Sequence, residues 1–138
     1  MNAAAPRPFA WPRTLVARLR EQKPEMVQKA FSGIEALVRN ARLALEAGDV
    51  VGLGRLLDFG QMLLSGLLVS TEEIETLCRL AREAGALGAK LTGGGGGGCV
   101  LALVEGSAEP VIEAWAREGF EGFAATIEPE SARQKEAR

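Results

Sequence analysis

The chain has 138 residues, 47% apolar and 25% charged, with 16 basic against 18 acidic side chains and a formal charge of -2. That size and balance suit one compact domain, and basic residues dispersed along the chain leave no electrostatic footprint for nucleic acid. No apolar stretch approaches the length of a bilayer-spanning helix and no signal-peptide pattern opens the chain, so no membrane partner is expected and cytoplasm is the expected compartment.

Met1 to Pro12 contains three prolines and two aromatic residues without a period, which predicts an irregular arm. A first helix is expected from Arg13 to Gln22. Pro24 suits the first turn of a second helix, along which Val27, Ala30, Phe31, Ile34, Leu37, Val38, Ala41 and Leu45 recur at three- and four-residue steps as one broad apolar face. Gly48 should end it as a left-handed cap. Asp49 then reads as the N-cap of a third helix reaching about Leu64, with Leu53, Leu56, Leu57, Gln61 and Leu64 along it. Gly52, Gly54 and Gly60 weaken this helix and imply either close packing or movement on ligand binding. Asp58 is expected to be solvated or locally paired.

Ser70-Thr71-Glu72-Glu73 has capping-box spacing and predicts a fourth helix carrying Ile74, Leu77, Cys78 and Ala81, ending before Gly85. A strand at Ala89 to Thr92 and another at Cys99 to Val104 follow, joined by Gly93 to Gly98. Ser107 is expected to cap a last helix with Pro110 in its first turn and Gly119 at its end. Phe123 to Ile127 alternates weakly and is a strand candidate. Residues 128–138 form a charged tail expected to fray. Helices followed by strand, strand, helix and strand indicate an α+β two-layer domain covering residues 13–127.

Two cysteines, Cys78 and Cys99, make no secreted-type disulfide framework and no zinc pattern, and both are expected as buried thiols. Histidine and tyrosine do not occur, and Asp49 and Asp58 are the sole aspartates, so little is available for general base chemistry.

The six consecutive glycines, Gly93, Gly94, Gly95, Gly96, Gly97 and Gly98, lie between two apolar strands, where a two- to five-residue hairpin turn would suffice. Glycine accepts positive φ and lets a ligand approach the main chain, and inward-turned N–H groups make a concave anion site. Cys99-Val100 after the last glycine excludes a Walker A loop, and the strand that follows excludes a dinucleotide-binding turn. Thr92 adds a candidate hydroxyl contact and Lys90 a candidate anion contact. Valine at Gly95 or Gly96 is expected to harm ligand approach more than the fold.

Gly85-Ala86-Leu87-Gly88-Ala89-Lys90-Leu91-Thr92-Gly93, the remaining glycines and Cys99 resemble the third conserved motif of the GHMP small-molecule kinases, most closely that of the mevalonate kinases. The resemblance extends upstream through Pro24-Glu25-Met26-Val27, the Ala41 to Asp49 helix end and the Leu63 to Leu87 region. Gly94 departs from it, since alanine usually stands there. The resemblance implies a ferredoxin-like C-terminal domain with a four-stranded sheet whose first strand is missing from this chain. It further implies phosphoryl transfer from ATP to a small alcohol in isoprenoid biosynthesis. ATP and Mg2+ would be held mainly by an N-terminal GHMP kinase domain, which also supplies the phosphate loop and catalytic aspartate. No catalytic or metal-binding residue is expected within this chain. It therefore reads as a truncated or separately encoded half whose partner is that domain, inactive alone. A non-catalytic binding or association module is the alternative reading, and an unfilled sheet edge makes a homo-oligomer a further expectation.

Overall fold

The computed structural model describes residues 11–127. Five helices and one hairpin follow in the order α1 (Trp11–Gln22), α2 (Pro24–Ala47), α3 (Val50–Gly66), α4 (Glu72–Glu83), β1 (Gly88–Thr92), β2 (Cys99–Leu103) and α5 (Glu109–Arg117). Residues 1–10 of the expected arm and all of the expected tail lie outside the described residues, and Trp11 and Pro12 already belong to α1.

Local signals set most of the boundaries. Gly48, at φ 69°, ends α2 in the left-handed conformation, and its own N–H and that of Asp49 bond the Leu45 and Ala44 carbonyls. The Asp49 carboxylate accepts the Gly52 N–H at 2.9 Å and starts α3. Thr71, one residue later than the capping-box spacing suggested, caps α4 by accepting the Ile74 N–H at 3.3 Å. Ser70 is instead occupied in a side-chain bond to Glu75 at 2.7 Å. At α5 the cap position is Ala108, while Ser107 accepts the Glu109 N–H at 3.2 Å and Gly119 closes the helix at φ 85°.

The β1–β2 hairpin is antiparallel, in a register that pairs Lys90 with Leu101 and Thr92 with Cys99. Helices α4 and α5 supply its core layer: Ile74, Leu77, Cys78, Ala81, Val111 and Trp115 close over Ala89 and Leu91. The Trp115 indole N–H is satisfied by the Leu77 carbonyl at 2.9 Å. Helix α3 runs beside β1, α2 packs on α3, and α1 packs on α2. Close approach of α3 to β1 explains two of the glycines, because a Cβ on Gly54 would run into Leu87 and one on Gly88 into the Gly54 backbone. The apolar stripe of α2 is only partly covered: Val27 and Ala44 are buried, whereas Val38 and Leu45 are exposed.

Two expectations are corrected here. Cys99 is exposed, because odd-numbered positions of β2 such as Cys99 and Leu101 face away from the α4–α5 core while Val100 and Ala102 face it. Phe123 to Ile127 forms no strand, because a groove separates this segment from β2 and no other strand lies within reach among the described residues.

The outer edge of β1 is closed by side chains. Asp58 Oδ1 accepts the Ala89 N–H at 3.0 Å and a bond from Arg82 Nε at 2.7 Å, while an Arg82 terminal nitrogen donates to the Ala89 carbonyl at 3.3 Å. Asp58 is thus a long-range tie among α3, α4 and β1, where sequence spacing had suggested a solvated or local residue. Three positions along α3, Gln61 Oε1 accepts the Leu91 N–H at 2.8 Å, and its amide nitrogen donates to Ser70 at 3.0 Å and Glu75 at 2.8 Å. Lys90 Nζ donates to the Leu91 carbonyl at 2.7 Å. These side chains satisfy the main-chain groups that a neighbouring strand would otherwise bond.

Candidate functional site

The glycine loop leaves β1 at Thr92 and returns into β2 at Cys99. Gly93, Gly95, Gly96, Gly97 and Gly98 all have positive φ, between 68° and 133°, whereas Gly94 does not. Five positions therefore demand glycine for backbone reasons, and Gly94 carries no such demand.

The loop is anchored at one point. Gly96 donates its N–H to the Val69 carbonyl at 2.7 Å, and a Cβ on Gly95 would lie 2.5 Å from that same oxygen. Val69 is buried in the α3–α4 connection, directly after Leu68, which is itself held at φ 62°. Gly95 and Gly96 therefore hold the loop to Val69 as well as shape it, so a side chain at Gly95 strains the fold as well as any ligand approach. The N–H groups of Gly93, Gly94, Gly95, Gly97 and Gly98 have no protein acceptor among the described residues. Such a run of free donors on a fixed loop favours oxyanions.

Gly93 and Gly94 border a cavity of about 610 Å³ between the loop and the helices α1 to α3. Leu64, Leu91 and Phe31 give it apolar walls, and α1 brings two basic side chains, Arg13 and Arg20, two turns apart, together with the carboxylate of Glu21. Thr92 lies elsewhere: it is exposed and borders a second groove, on the β2–α5 side. Lys90 is half-buried against α3 with its Nζ on the Leu91 carbonyl, and burial lowers its pKa, with Cys78 pulling slightly the other way. The structure thus joins Gly93 and Gly94 to the cavity and sends Thr92 and Lys90 to other surroundings.

Sequence spacing missed Val69, Gln61 and Arg82, which hold the loop and its strand. Only Gln61 left a visible signal, as an amide on the apolar side of α3.

Comparison with known proteins decides the family. The sequence profile of GHMP kinases C terminal matches residues 41–122, more than half of the chain. The chain belongs to the GHMP kinase family, as its C-terminal domain. Among curated relatives, mevalonate kinase of Aeropyrum pernix is 44% identical over 107 residues, covering 77% of this chain and 33% of its own length. Mevalonate kinase of Pyrococcus abyssi is 36% identical over 129 residues, covering 90% of this chain and 38% of its own length. Among solved structures, the L. major mevalonate kinase in complex with R-mevalonate superimposes with a TM-score of 0.80 at 28% identity, over 85% of this chain and 36% of that one. The chain spans about a third of the length of the mevalonate kinases it matches. The α+β reading of the fold agrees with this structural likeness.

Proposed function

We propose that this chain is the C-terminal part of an ATP-dependent kinase that phosphorylates the hydroxyl of mevalonate, working with an N-terminal GHMP kinase domain in the cytoplasm and serving isoprenoid biosynthesis. The observation that carries this reading is the anchored glycine loop, with five free N–H donors and with Gly93 and Gly94 bordering a part-apolar, part-charged cavity, in a chain whose relatives are mevalonate kinases. Phosphoryl transfer depends on positioning and on stabilising charge, and a rigid loop of main-chain donors supplies both without an ionisable side chain. In this reading Gly93 and Gly94 face the substrate cavity and the loop orients the reacting groups. Thr92 offers its hydroxyl at the start of the loop, and Lys90 holds the strand end through the Leu91 carbonyl. In this reading ATP and Mg2+ belong chiefly to the N-terminal domain. Held there, Mg2+ would supply neutralisation of phosphate charge. No helix among the described residues is long and apolar enough to cross a membrane.

A chimaera tests the reading. Residues 13–127 replace the matched region of the Aeropyrum pernix mevalonate kinase, and ADP release is followed with mevalonate, ATP and Mg2+. Turnover within about tenfold of the parent enzyme is expected, a factor equal to about 1.4 kcal/mol in the barrier. A folded chimaera without mevalonate-dependent turnover overturns it.

A further inference from the structure

Val69, Leu91, Gly93 and Gly94 all line the cavity of about 610 Å³, and one side chain that does not line it stands behind them. Leu91 belongs to the stem of the glycine loop, two residues before Gly93, and Val69 holds the far side of the loop through its carbonyl, which accepts the Gly96 N–H at 2.7 Å. Gln61 reaches both. Its Oε1 accepts the Leu91 N–H at 2.8 Å, while its Nε2 donates at 3.0 Å to the hydroxyl of Ser70, the neighbour of Val69, and at 2.8 Å to Glu75 Oε1. The Ser70 hydroxyl donates to that same Glu75 oxygen at 2.7 Å, which closes a ring of three side chains. At 2% exposure, Gln61 is shielded from competing solvent. The turn that presents the Val69 carbonyl is strained: Leu68 stands at φ 62°, a conformation that a leucine keeps only where its surroundings impose it. On the α3 side the turn is fixed by the Leu68 N–H on the Ser65 carbonyl at 2.9 Å and the Val69 N–H on the Leu64 carbonyl at 3.3 Å. On the α4 side it is fixed by the ring of Ser70, Gln61 and Glu75.

We propose that Gln61 is the positioning residue of the glycine loop: by holding β1 and the α3–α4 connection through one amide, it sets how far the tether at Val69 stands from the stem at Leu91, and with that the direction of the N–H groups of Gly93, Gly94, Gly95, Gly97 and Gly98. Its effect on phosphoryl transfer runs through the loop, and to that extent the inference rests on the functional reading above. Donors that stabilise developing charge must be aimed before the reaction begins, so a loop whose tether drifts loses catalytic power even though every glycine is still present. A misplacement of about 1 Å, caused by a residue remote from the chemistry, can cost on the order of 100-fold in rate.

The test is the double variant Ser70→Ala with Glu75→Ala, which frees the connection from Gln61 and leaves the bond between Gln61 and Leu91 in place. Amide exchange is read in the full 138-residue chain at Gly96 and at Ala81, a fully buried residue of α4, and kinetics are read in the chimaera described above. Exchange at Gly96 should accelerate at least about tenfold more than at Ala81, because the loop loosens locally while the core stays closed. In the chimaera kcat should fall by about 10- to 100-fold with KM for mevalonate held within about twofold, the pattern of support given to the transition state alone. Ser70→Ala with Glu75→Gln keeps an accepting oxygen for the Gln61 amide and should recover most of that loss. Gly96 and Ala81 accelerating in step would make the ring a purely structural brace and overturn the proposal. So would an unchanged kcat in a chimaera whose Gly96 has loosened, or a raised KM with kcat intact. Should the double variant unfold, Ser70→Ala alone is read by the same two measurements. Selective loosening at Gly96, together with an unaltered chimaera that does not turn over, leaves Gln61 positioning the loop and counts against the functional reading; turnover with Gly96 and Ala81 in step does the reverse.

Discussion

The Gln61 side-chain oxygen accepts the Leu91 N–H at 2.8 Å, so a helix residue stands where a strand would pair. Gln61 is 2% exposed and its amide nitrogen serves Ser70 and Glu75 as well, which joins α3, the α3–α4 connection, α4 and β1 at one side chain. Gln61→Leu fills the same space and strands the Leu91 N–H, with an expected loss of about 2–3 kcal/mol. Ser70→Ala removes one peripheral member and should cost about 1 kcal/mol. Urea denaturation of both variants gives the comparison, and equal losses would mean that the amide is not the hub.

The loop glycines should separate by conformation. Gly94→Ala meets no positive-φ penalty and should change stability by less than about 0.5 kcal/mol. Gly95→Ala meets both a left-handed φ of 79° and the Val69 carbonyl, and should cost about 1–3 kcal/mol. Thermal midpoints of the isolated chain are sufficient. In the chimaera Gly94→Ala should retain turnover, whereas Gly95→Ala should lose turnover and stability together.

Within α3 two glycines should respond in opposite directions. Gly54→Ala drives a methyl into the Leu87 backbone, and overpacking of this kind costs about 1–3 kcal/mol. An added Cβ at Gly66 meets nothing within 4 Å, so Gly66→Ala should gain up to about 1 kcal/mol through helix propensity. Denaturant midpoints moving in the same direction for both would contradict the close α3–β1 crossing.

Much of this architecture was legible from local chemistry. Pro24, Gly48, Asp49 and Gly119 mark helix ends because a cap involves residues only a few positions apart, and the six glycines announce their loop for the same reason. The side-chain closure of β1 was not legible. Its bonds join Asp58 to Ala89 and Gln61 to Leu91, residues 31 and 30 positions apart, and no periodicity records such a pairing. Exposure of Cys99 was hidden because the whole run from Cys99 to Val104 is apolar, which conceals which face is covered. The segment 123–127 was misjudged for a related reason: a strand is defined by its neighbour, and weak alternation says nothing about whether one is present.

The two thiols provide a pH and reactivity test. Cys78 is fully buried, and burial pushes its pKa up to about 11 from 9.0, with Glu75 and Asp58 adding to the rise and Arg82 and Lys90 opposing it. A thiol raised in the folded state contributes stability below pH 9 that is lost as pH climbs toward 11. Lys90, lowered by burial, contributes in the opposite sense, so the two partly offset in alkali. The stability difference between the unaltered chain and Cys78→Ala should therefore shrink between pH 9 and 11. At pH 8 a thiol reagent should label Cys99 alone in the folded protein and both cysteines in denaturant. Rapid labelling of Cys78 in the folded state would contradict its burial.

Closure of β1 by Asp58, Arg82, Gln61 and Lys90 gives the hairpin the valence of a monofunctional reagent. A sheet with two receptive edges behaves as a bifunctional monomer, and each addition leaves a new end that sustains growth into a fibre. Here one end is terminated within the chain by α3 and α4. Any strand addition at β2 is then a terminating reaction with a stoichiometry of one, and the domain can present an edge at high concentration without seeding a polymer.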